Sequence, residues 1–318
     1  MDGFTLDGVI EKVTDGDTLR ITANGTLFKI RVLGLDTEES NDNPHKPVTK
    51  WGEAATAFTK SILPVGTPVT IEFPGTEAPL VDGEILVTYL DNFERPLGFV
   101  HLQTPVDGIT DFSELMIRKG YSPYFVKYGR AVFADHDARY AAAERAAQVD
   151  DIGVWNQFAA NDVMTPEAAP RNYPRLMVWW ELRARVIDAY RAAKAAAPDL
   201  GLFNTRLDYA TLVEKAEARE TVTVFMELKE GETVGGLHHV IKSGSLAQPF
   251  QLFMPMEDRD EIVAVKRLLR NRYVADGEDF PRKNYAYITG EVKMFQGRPE
   301  MVVESIDQVS DLPPAAGG

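Results

Sequence analysis

The sequence contains no cysteine, which excludes disulfides, thiolate nucleophiles and cysteine-based zinc sites. It also lacks any run approaching the roughly 20 apolar residues of a membrane span. Its first residues show neither the basic nor the apolar segment of a secretory signal. These absences predict a protein with no membrane span, cytoplasmic as the sequence stands, or secreted if a signal peptide has been removed.

Basic residues are in the minority, with 34 Lys and Arg against 48 Asp and Glu and a formal net charge of -14. That sign argues against a protein that coats nucleic acid non-specifically, because phosphate binding draws on Lys and Arg. A protein of this composition that acts on nucleic acid needs a local basic patch or a metal that supplies positive charge.

Histidine is scarce as well, with five residues. His45, His101 and His136 are isolated in the sequence, which is typical of surface or packing residues. His238 and His239 are neighbours on a predicted strand and therefore point to opposite faces. The sequence thus predicts no histidine-based metal site.

Carboxylates are concentrated on two predicted turns. Residues 31–39 (RVLGLDTEE) read as a strand that begins with an arginine and runs into a turn with three carboxylates, and residues 14–18 (TDGDT) place two more on a tight turn. Carboxylates on turns with an arginine nearby suit a hard cation and a phosphate. Spacing alone fits a solvated acidic turn equally well.

The first half of the chain alternates in the manner of a strand-rich domain, and Asn24-Gly25 is a strong hairpin signal. Apolar periodicity and capping residues add three helices. The predicted strands are 8–13, 19–23, 27–35, 68–73, 84–90 and 97–102, and the predicted helices are 51–63, 111–120 and 134–149. This pattern indicates a small barrel with three helices.

A loop with three prolines, residues 158–174, suggests a domain boundary. A helix from Pro174 to about Ala196 and a shorter one over 207–218 follow it. The last hundred residues read as three strands, a helix over 258–272 and two strands, which is the order of an OB-fold barrel. The predicted fold class is α+β and mostly β, with domains at 1–160 and 219–310, a helical linker at 161–218 and a loose tail at 311–318.

Several separate blocks of the first half resemble the staphylococcal nuclease (thermonuclease) family, over about residues 8–157. They are DGDT at 15–18, R at 31 through DTEE at 36–39, WGEA at 51–54 with AFTK at 57–60, Arg95, the stretch 115–120 and Trp155. Any one block is weak, but their order and spacing together are specific. The resemblance implies an OB barrel with three helices.

The resemblance also implies a set of site residues. Asp17 and Asp36 match the family's calcium-binding carboxylates, with the Thr37 carbonyl as a further ligand. Glu39 matches the glutamate that positions or deprotonates the attacking water. Asp15 is expected to support the turn, a structural role.

Arg31 and Arg95 match the two arginines that bind the scissile phosphate. Tyr128 aligns with a tyrosine that flanks the bound nucleotide, and a core or surface role fits it about as well.

The sequence departs from the family pattern in three ways. Glu38 stands where the family has proline, which loosens the turn that directs Glu39. Asn92-Phe93-Glu94 replaces the usual Lys-Tyr-Gly before the second arginine, and Pro96 follows it where glycine is common. These changes lead us to expect altered substrate affinity or preference rather than lost chemistry.

Residues 258–298 are basic against the acidic background and are interleaved with aromatics. Cations with aromatic rings on a barrel suggest single-strand binding, and Lys266, Arg270, Tyr285 and Tyr287 are the candidate contacts. The alternative is that the aromatics fill the barrel and the helix presents an ordinary charged face.

The resemblance therefore implies a Ca2+-dependent endonuclease that hydrolyses DNA, RNA or both and leaves 3'-phosphate ends, with another divalent ion as an alternative. The second domain is expected to bind single-stranded nucleic acid or a protein partner. The competing hypothesis is a nucleic-acid-binding or scaffold protein whose nuclease-like domain is weakly active or inactive.

Overall fold

A computed structural model describes residues 1–41, 47–81, 83–156, 171–245, 247–275 and 281–315. The chain divides into two compact units. The first unit is Met1–Val126 with Arg130–Arg175, and the second is Lys127–Gly129 with Leu176–Gly318. The domain limits that we derived from the sequence, including the linker and the tail, stay predictions, and most of the proline-bearing loop lies outside the described residues.

The first unit is built on a closed barrel. Its strands are β1 (Thr5–Asp15), β2 (Thr18–Ala23), β3 (Thr26–Val32), β4 (Pro68–Glu72), β5 (Leu80–Val81), β6 (Glu84–Ile85), β7 (Leu97–Val106) and β8 (Ile109–Asp111). Five of them follow the order β3-β2-β1-β4-β7, and a parallel pairing of β3 with β7 closes the circle. This closed five-stranded barrel confirms the predicted OB-like fold.

Alternating side chains of the barrel strands fill its interior. Leu19 and Ile21 on β2, and Phe28 and Ile30 on β3, are fully buried, as a period of two requires. Asn24 and Gly25 both take positive φ between these strands, so the predicted hairpin turn is present.

In the described part of the first unit, three helices pack on the barrel: α1 (Lys50–Ile62), α2 (Phe112–Arg118) and α3 (Ala134–Val149). The Thr49 side chain caps α1 by accepting a hydrogen bond from the Gly52 amide, and Asp111 caps α2 by accepting from the amides of Ser113 and Glu114. These caps satisfy amides that have no partner inside a helix, and they start both helices within two residues of the predicted positions.

The predicted strand at 84–90 is wrong. Glu84–Ile85 is a short strand and Leu90 forms a single bridge with Pro96, but Val87–Tyr89 between them forms a 3-10 turn. The reason is the buried Tyr89, whose ring packs 5.3 Å from that of Phe73 and whose hydroxyl donates to the Glu77 carbonyl. This tertiary anchor overrides the local alternation.

The second unit contains a larger sheet and the remaining helices. Its helices are α4 (Tyr173–Ala196, which begins in the first unit), α5 (Tyr209–Ala218) and α6 (Asp260–Arg272). Its strands are β9 (Leu202–Asn204), β10 (Thr221–Glu227), β11 (Glu232–Val234), β12 (His238–Gly244), β13 (Pro249–Met254), β14 (Tyr285–Phe295), β15 (Arg298–Val302) and β16 (Val309–Ser310). No helix in the described ranges is long and apolar enough to cross a membrane.

The sheet of the second unit repeats most of the neighbour order of the first barrel. Its central path is β12-β13-β15-β14-β10. If β10, β12, β13, β14 and β15 are counted one to five, this order is 2-3-5-4-1. It contains four of the five neighbour pairs of the closed 1-2-3-5-4 ring of the first unit, and the pair 1-2 is missing among the described residues. The predicted three strands, helix and two strands are present, while the short β9 and β11 were not predicted.

Gly52 on α1 provides a test of how the barrel holds its acidic turn. A Cβ at this position would lie 2.1 Å from the Glu39 carbonyl oxygen, so the helix backbone packs directly on the turn. In a free helix Gly→Ala gains about 0.5–1 kcal/mol, but here we expect Gly52→Ala to lower the free energy of unfolding by about 2 kcal/mol or more.

Denaturant unfolding measures this difference. The exposed neighbour Glu53 provides the control, and Glu53→Ala should change stability by no more than about 0.5 kcal/mol. A stabilised Gly52→Ala protein would contradict the close approach.

Candidate active site

The guanidinium of Arg31 bridges the two carboxylates that the sequence singled out. One of its terminal nitrogens forms an ion pair with Asp17 Oδ1, and the other lies 2.9 Å from Asp36 Oδ1. The same nitrogen donates to the Leu35 carbonyl at 3.1 Å. Residues from two turns thus meet on one side chain, as predicted.

Strand pairing determines this meeting. Thr18, next to Asp17, pairs with Arg31 across β2 and β3, and the Val32 amide donates to the Asp17 carbonyl at 2.9 Å. The Thr37 amide donates to Asp17 Oδ2 at 3.0 Å. The Asp36 amide donates to Ser122 Oγ at 2.9 Å, which fixes the turn against the segment after α2.

The Arg31 guanidinium is buried between two carboxylates, and this environment determines its pKa. Burial alone would lower the pKa of Arg31, but the neighbouring Asp17 and Asp36 carboxylates raise it above its ordinary value. The arginine therefore stays charged, and its removal would leave two mostly buried carboxylates without their shared partner.

Arg171 is a second cation on Asp36 that the sequence did not predict. Its Nη1 lies 2.6 Å from Asp36 Oδ2, the oxygen that Arg31 does not contact. Arg171 is 135 residues away in the chain, and no motif links the two positions.

Glu38 takes a buried position in the turn where the resembled family has proline. It is 3% exposed, and its Oε1 accepts a hydrogen bond of 2.9 Å from the Tyr173 hydroxyl. Burial, together with Glu38 and Asp36, raises the pKa of Tyr173, so the phenol remains a donor. Glu38 Oε2 and Thr37 Oγ1 are buried and have no hydrogen-bond partner among the described residues.

Glu39 is half-buried, and its backbone is held from two sides. Its carbonyl accepts from the amide of Thr49 at 3.1 Å, and Gly52 packs against the same oxygen. The start of α1 thereby fixes the position from which the Glu39 side chain projects, despite the missing proline.

Asp15 has the structural role that was predicted for it. Its Oδ1 accepts from the Gly16 amide and from the hydroxyls of Ser40 and Thr56, at 2.8 to 2.9 Å. It joins the β1–β2 turn to the acidic turn and to α1.

Arg95 lies next to this cluster in the backbone but is paired elsewhere. The Arg31 amide donates to the Pro96 carbonyl at 2.8 Å, so β3 and the start of β7 are adjacent. The Arg95 guanidinium instead contacts Asp91 Oδ2 at 2.7 Å and lies over the Phe93 ring. Glu94, where the family has glycine, takes a positive φ of 60°, which is unfavourable for a residue with a side chain.

The candidate nucleic-acid contacts outside this cluster have different exposures. Tyr128 is 54% exposed, with Lys127 over its ring at 5.3 Å. On α6, Lys266 is half-buried and pairs with Glu257 at 2.7 Å, while Arg270 is exposed.

Tyr285 and Tyr287 pack inside the second unit. Tyr287 is 1% exposed, and the rings of both lie against Phe225, which also stacks on Tyr190 at 4.5 Å. The Tyr287 ring has no solvent-facing side on which a base can stack. This corrects the single-strand role assigned to Tyr287, because the ring is needed in the core.

The donor chemistry of the cluster suits a hard cation. Asp17 and Asp36 bring carboxylate oxygens together around Arg31, and the turn beside them adds backbone carbonyls. Carboxylate with carbonyl oxygens is the donor set that Ca2+ prefers.

Comparisons with known proteins cover the same region. The family described as Staphylococcal nuclease homologue matches residues 29–157. An uncharacterised protein of Methanocaldococcus jannaschii is 30% identical over 164 residues, which are 47% of this chain and 71% of that protein.

Two relatives are named thermonucleases. The protein of Staphylococcus intermedius is 26% identical over 47% of this chain and 76% of its own length, and that of Staphylococcus hyicus is 27% identical over 46% and 73%. The sequence, the closed barrel and these matches agree, and through its first unit the chain belongs to the staphylococcal nuclease family.

Proposed function

We propose that the first unit is a Ca2+-dependent nuclease that hydrolyses phosphodiester bonds in DNA, RNA or both and leaves 3'-phosphate ends. The observation that carries this proposal is the Arg31 guanidinium held between Asp17 and Asp36. It combines a phosphate-binding group and a pair of hard oxygen donors in one place. The thermonuclease relatives support the same chemistry.

Asp17, Asp36 and the Thr37 carbonyl are the groups that would hold the cation. Carboxylate and carbonyl oxygens are the donor set that Ca2+ takes, and next to them the buried Glu38 Oε2 and Thr37 Oγ1 have no hydrogen-bond partner among the described residues. Ca2+, when bound, supplies positive charge against the charge that develops on the phosphate.

The remaining roles fall to this chain's own side chains. Glu39 orients the attacking water and accepts its proton, and its fixed backbone limits the directions from which it can do so. Arg31 offers guanidinium donors to the equatorial phosphate oxygens. Arg95, whose backbone adjoins that of Arg31, joins it by exchanging its ion pair with Asp91 for the phosphate.

Cleavage assays on the full chain test this assignment. Single- and double-stranded DNA and RNA are incubated with Ca2+, Mg2+ or a chelator, and the product ends are analysed for 3'-phosphate. We expect Glu39→Gln to reduce the rate about 10²–10⁴-fold, since general-base catalysis is lost, and Arg95→Ala about 10²-fold or more.

Exposed residues of matching type serve as controls, and Glu53→Gln and Arg20→Ala should keep full activity. Nucleic-acid binding without cleavage under any divalent ion would favour a binding or scaffold protein. Cleavage unchanged in both Arg31→Lys and Arg95→Ala would show that the assigned site is wrong.

We expect Arg171 to weaken Ca2+ binding, because its ion pair with Asp36 Oδ2 competes with the metal for that oxygen. We expect Arg171→Gln to tighten Ca2+ binding about fivefold, which corresponds to about 1 kcal/mol for one ion pair, as measured by calorimetric titration of the full chain. Arg175→Gln, an exposed arginine one turn further along, should leave the affinity unchanged. Weaker binding in Arg171→Gln would mean that Arg171 supports the site rather than competing with the ion.

We further propose that the second unit binds single strands through cations on α6. With a cleavage-impaired Glu39→Gln background, Lys266→Gln with Arg270→Gln should weaken binding of a labelled single strand. The double variant should also lower the magnitude of the slope of log binding constant against log salt concentration, by about 0.7 for each phosphate that it no longer neutralises.

The charge-matched control is Lys242→Gln with Arg219→Gln, which removes two exposed cations elsewhere in the second unit. If both pairs reduce the salt slope equally, the effect is general charge rather than a site on α6. Fluorescence anisotropy over a salt series distinguishes the two results.

A further inference from the structure

A second cluster in the first unit contains Glu72, His101 and His136. Glu72 Oε2 lies 2.7 Å from His101 Nε2 and 3.2 Å from His136 Nε2. One donor atom from each of the three residues lies within 4.8 Å of the others. Both histidines are isolated in the sequence, and the fold brings them together.

Strand register and one helix create this arrangement. Glu72, the last residue of β4, pairs with Phe99 on β7, and His101 is two residues further along β7. Residues two apart on a strand share a face, so His101 projects on the same side as Phe99. His136 sits in the first turn of α3, with its ring 4.5 Å from that of Phe99.

His136 has no hydrogen-bond partner among the described residues at either ring nitrogen, although it is 2% exposed. Buried polar groups are nearly always hydrogen-bonded. Its Nε2 approaches Glu72 Oε2 but outside hydrogen-bond geometry. A buried imidazole nitrogen without a partner, directed at a carboxylate and a second imidazole, points to a ligand that the three share.

The surroundings of His136 and Glu72 favour the neutral imidazole and the ionised carboxylate. Burial lowers the pKa of His136, against the raising effect of Asp111 and Glu72. Burial alone would raise the pKa of Glu72, but the Gly3 amide, His101, the Asp2 amide and His136 together lower it. A neutral imidazole and an ionised carboxylate are the forms that coordinate.

We propose that Glu72 Oε2, His101 Nε2 and His136 Nε2 form a binding site for a transition-metal dication of the zinc class. Two imidazoles and one carboxylate suit Zn2+ or Co2+, whereas Ca2+ takes oxygen ligands. Tetrahedral bonds of 2.0–2.2 Å place ligand atoms about 3.3 Å apart. The 3.2 Å pair already meets this spacing, and the 2.7 Å pair opens by about half an ångström as the metal replaces the shared proton.

Both histidines also line a cavity of about 600 Å³, together with Thr70, Gln103, Asp135 and Arg139, which gives water a route to the cluster. Three protein ligands and an open position are typical of zinc sites that keep an exchangeable water. Asp111, 3.7 Å from His136 Nε2, is held by the Tyr140 hydroxyl and by Arg139. It therefore contributes negative charge beside the ligands rather than a bond.

This site differs in donor chemistry from the Asp17–Asp36 cluster, so the two can be examined separately. The experiment titrates the full chain with Zn2+, by calorimetry, in the presence of excess Ca2+. The same titration of the double variant Asp17→Asn, Asp36→Asn is the control for zinc that binds to the Asp17–Asp36 cluster instead. We expect one equivalent of zinc in both proteins, whether or not the nuclease proposal holds.

His101→Gln and His136→Gln should each weaken zinc binding at least about tenfold, the effect known for the loss of even an outer-sphere partner. His238→Gln with His239→Gln should leave it unchanged. Long-range ¹H–¹⁵N spectra of the unmutated protein provide a readout that needs no variant to fold. Two of the five histidine imidazoles should shift together and saturate at one equivalent.

Two results would overturn the proposal. The first is no stoichiometric zinc binding by the unmutated protein. The second is binding that persists at full affinity in both His101→Gln and His136→Gln. In either case the cluster is a buried hydrogen-bonded triad without a metal.

Discussion

The Arg31 guanidinium between Asp17 and Asp36 is the interaction on which the first unit's site depends. It unites a turn after β1 with a turn after β3, and each of those turns is tied to a different helix or loop. Asp15 connects the first turn to α1, and Ser122 holds the second from beyond α2. The network is mostly buried, where unpaired charges are costly, so its parts are stable only in combination.

The same constraint explains why additional charged groups collect there. Two carboxylates that share one guanidinium still attract cations. Arg171, near the end of the first unit, forms a second ion pair with Asp36. The Tyr173 hydroxyl donates a hydrogen bond to Glu38, the residue that stands where the family has proline. The departure at position 38 is thus accommodated by a segment outside the part of the chain that resembles thermonucleases.

Contacts between residues close in the sequence could be predicted, whereas contacts between residues far apart in the sequence could not. Asp17, Arg31 and Asp36 lie on neighbouring strands and turns, so motif spacing was enough to predict that they lie close together. Arg171 and Tyr173 could not be predicted, since their partners lie 135 residues away. His101 and His136 have no ligand spacing in sequence and meet only through strand register. Tyr287 was assigned wrongly because a pattern of aromatics does not show which rings are buried, and the strand at 84–90 because alternation does not show that Tyr89 is anchored in the core.

The parallel pairing of β3 with β7 links closure of the barrel to assembly of the candidate site. It joins Arg31 to Leu97, and it is the pairing that closes the barrel and places the two arginines side by side. Contacts between distant parts of a chain form slowly, because loop-closure entropy must be overcome first. Barrel closure and the neighbourhood of Arg31 and Arg95 are therefore one structural event, and a change that opens this seam separates the backbones of the two arginines.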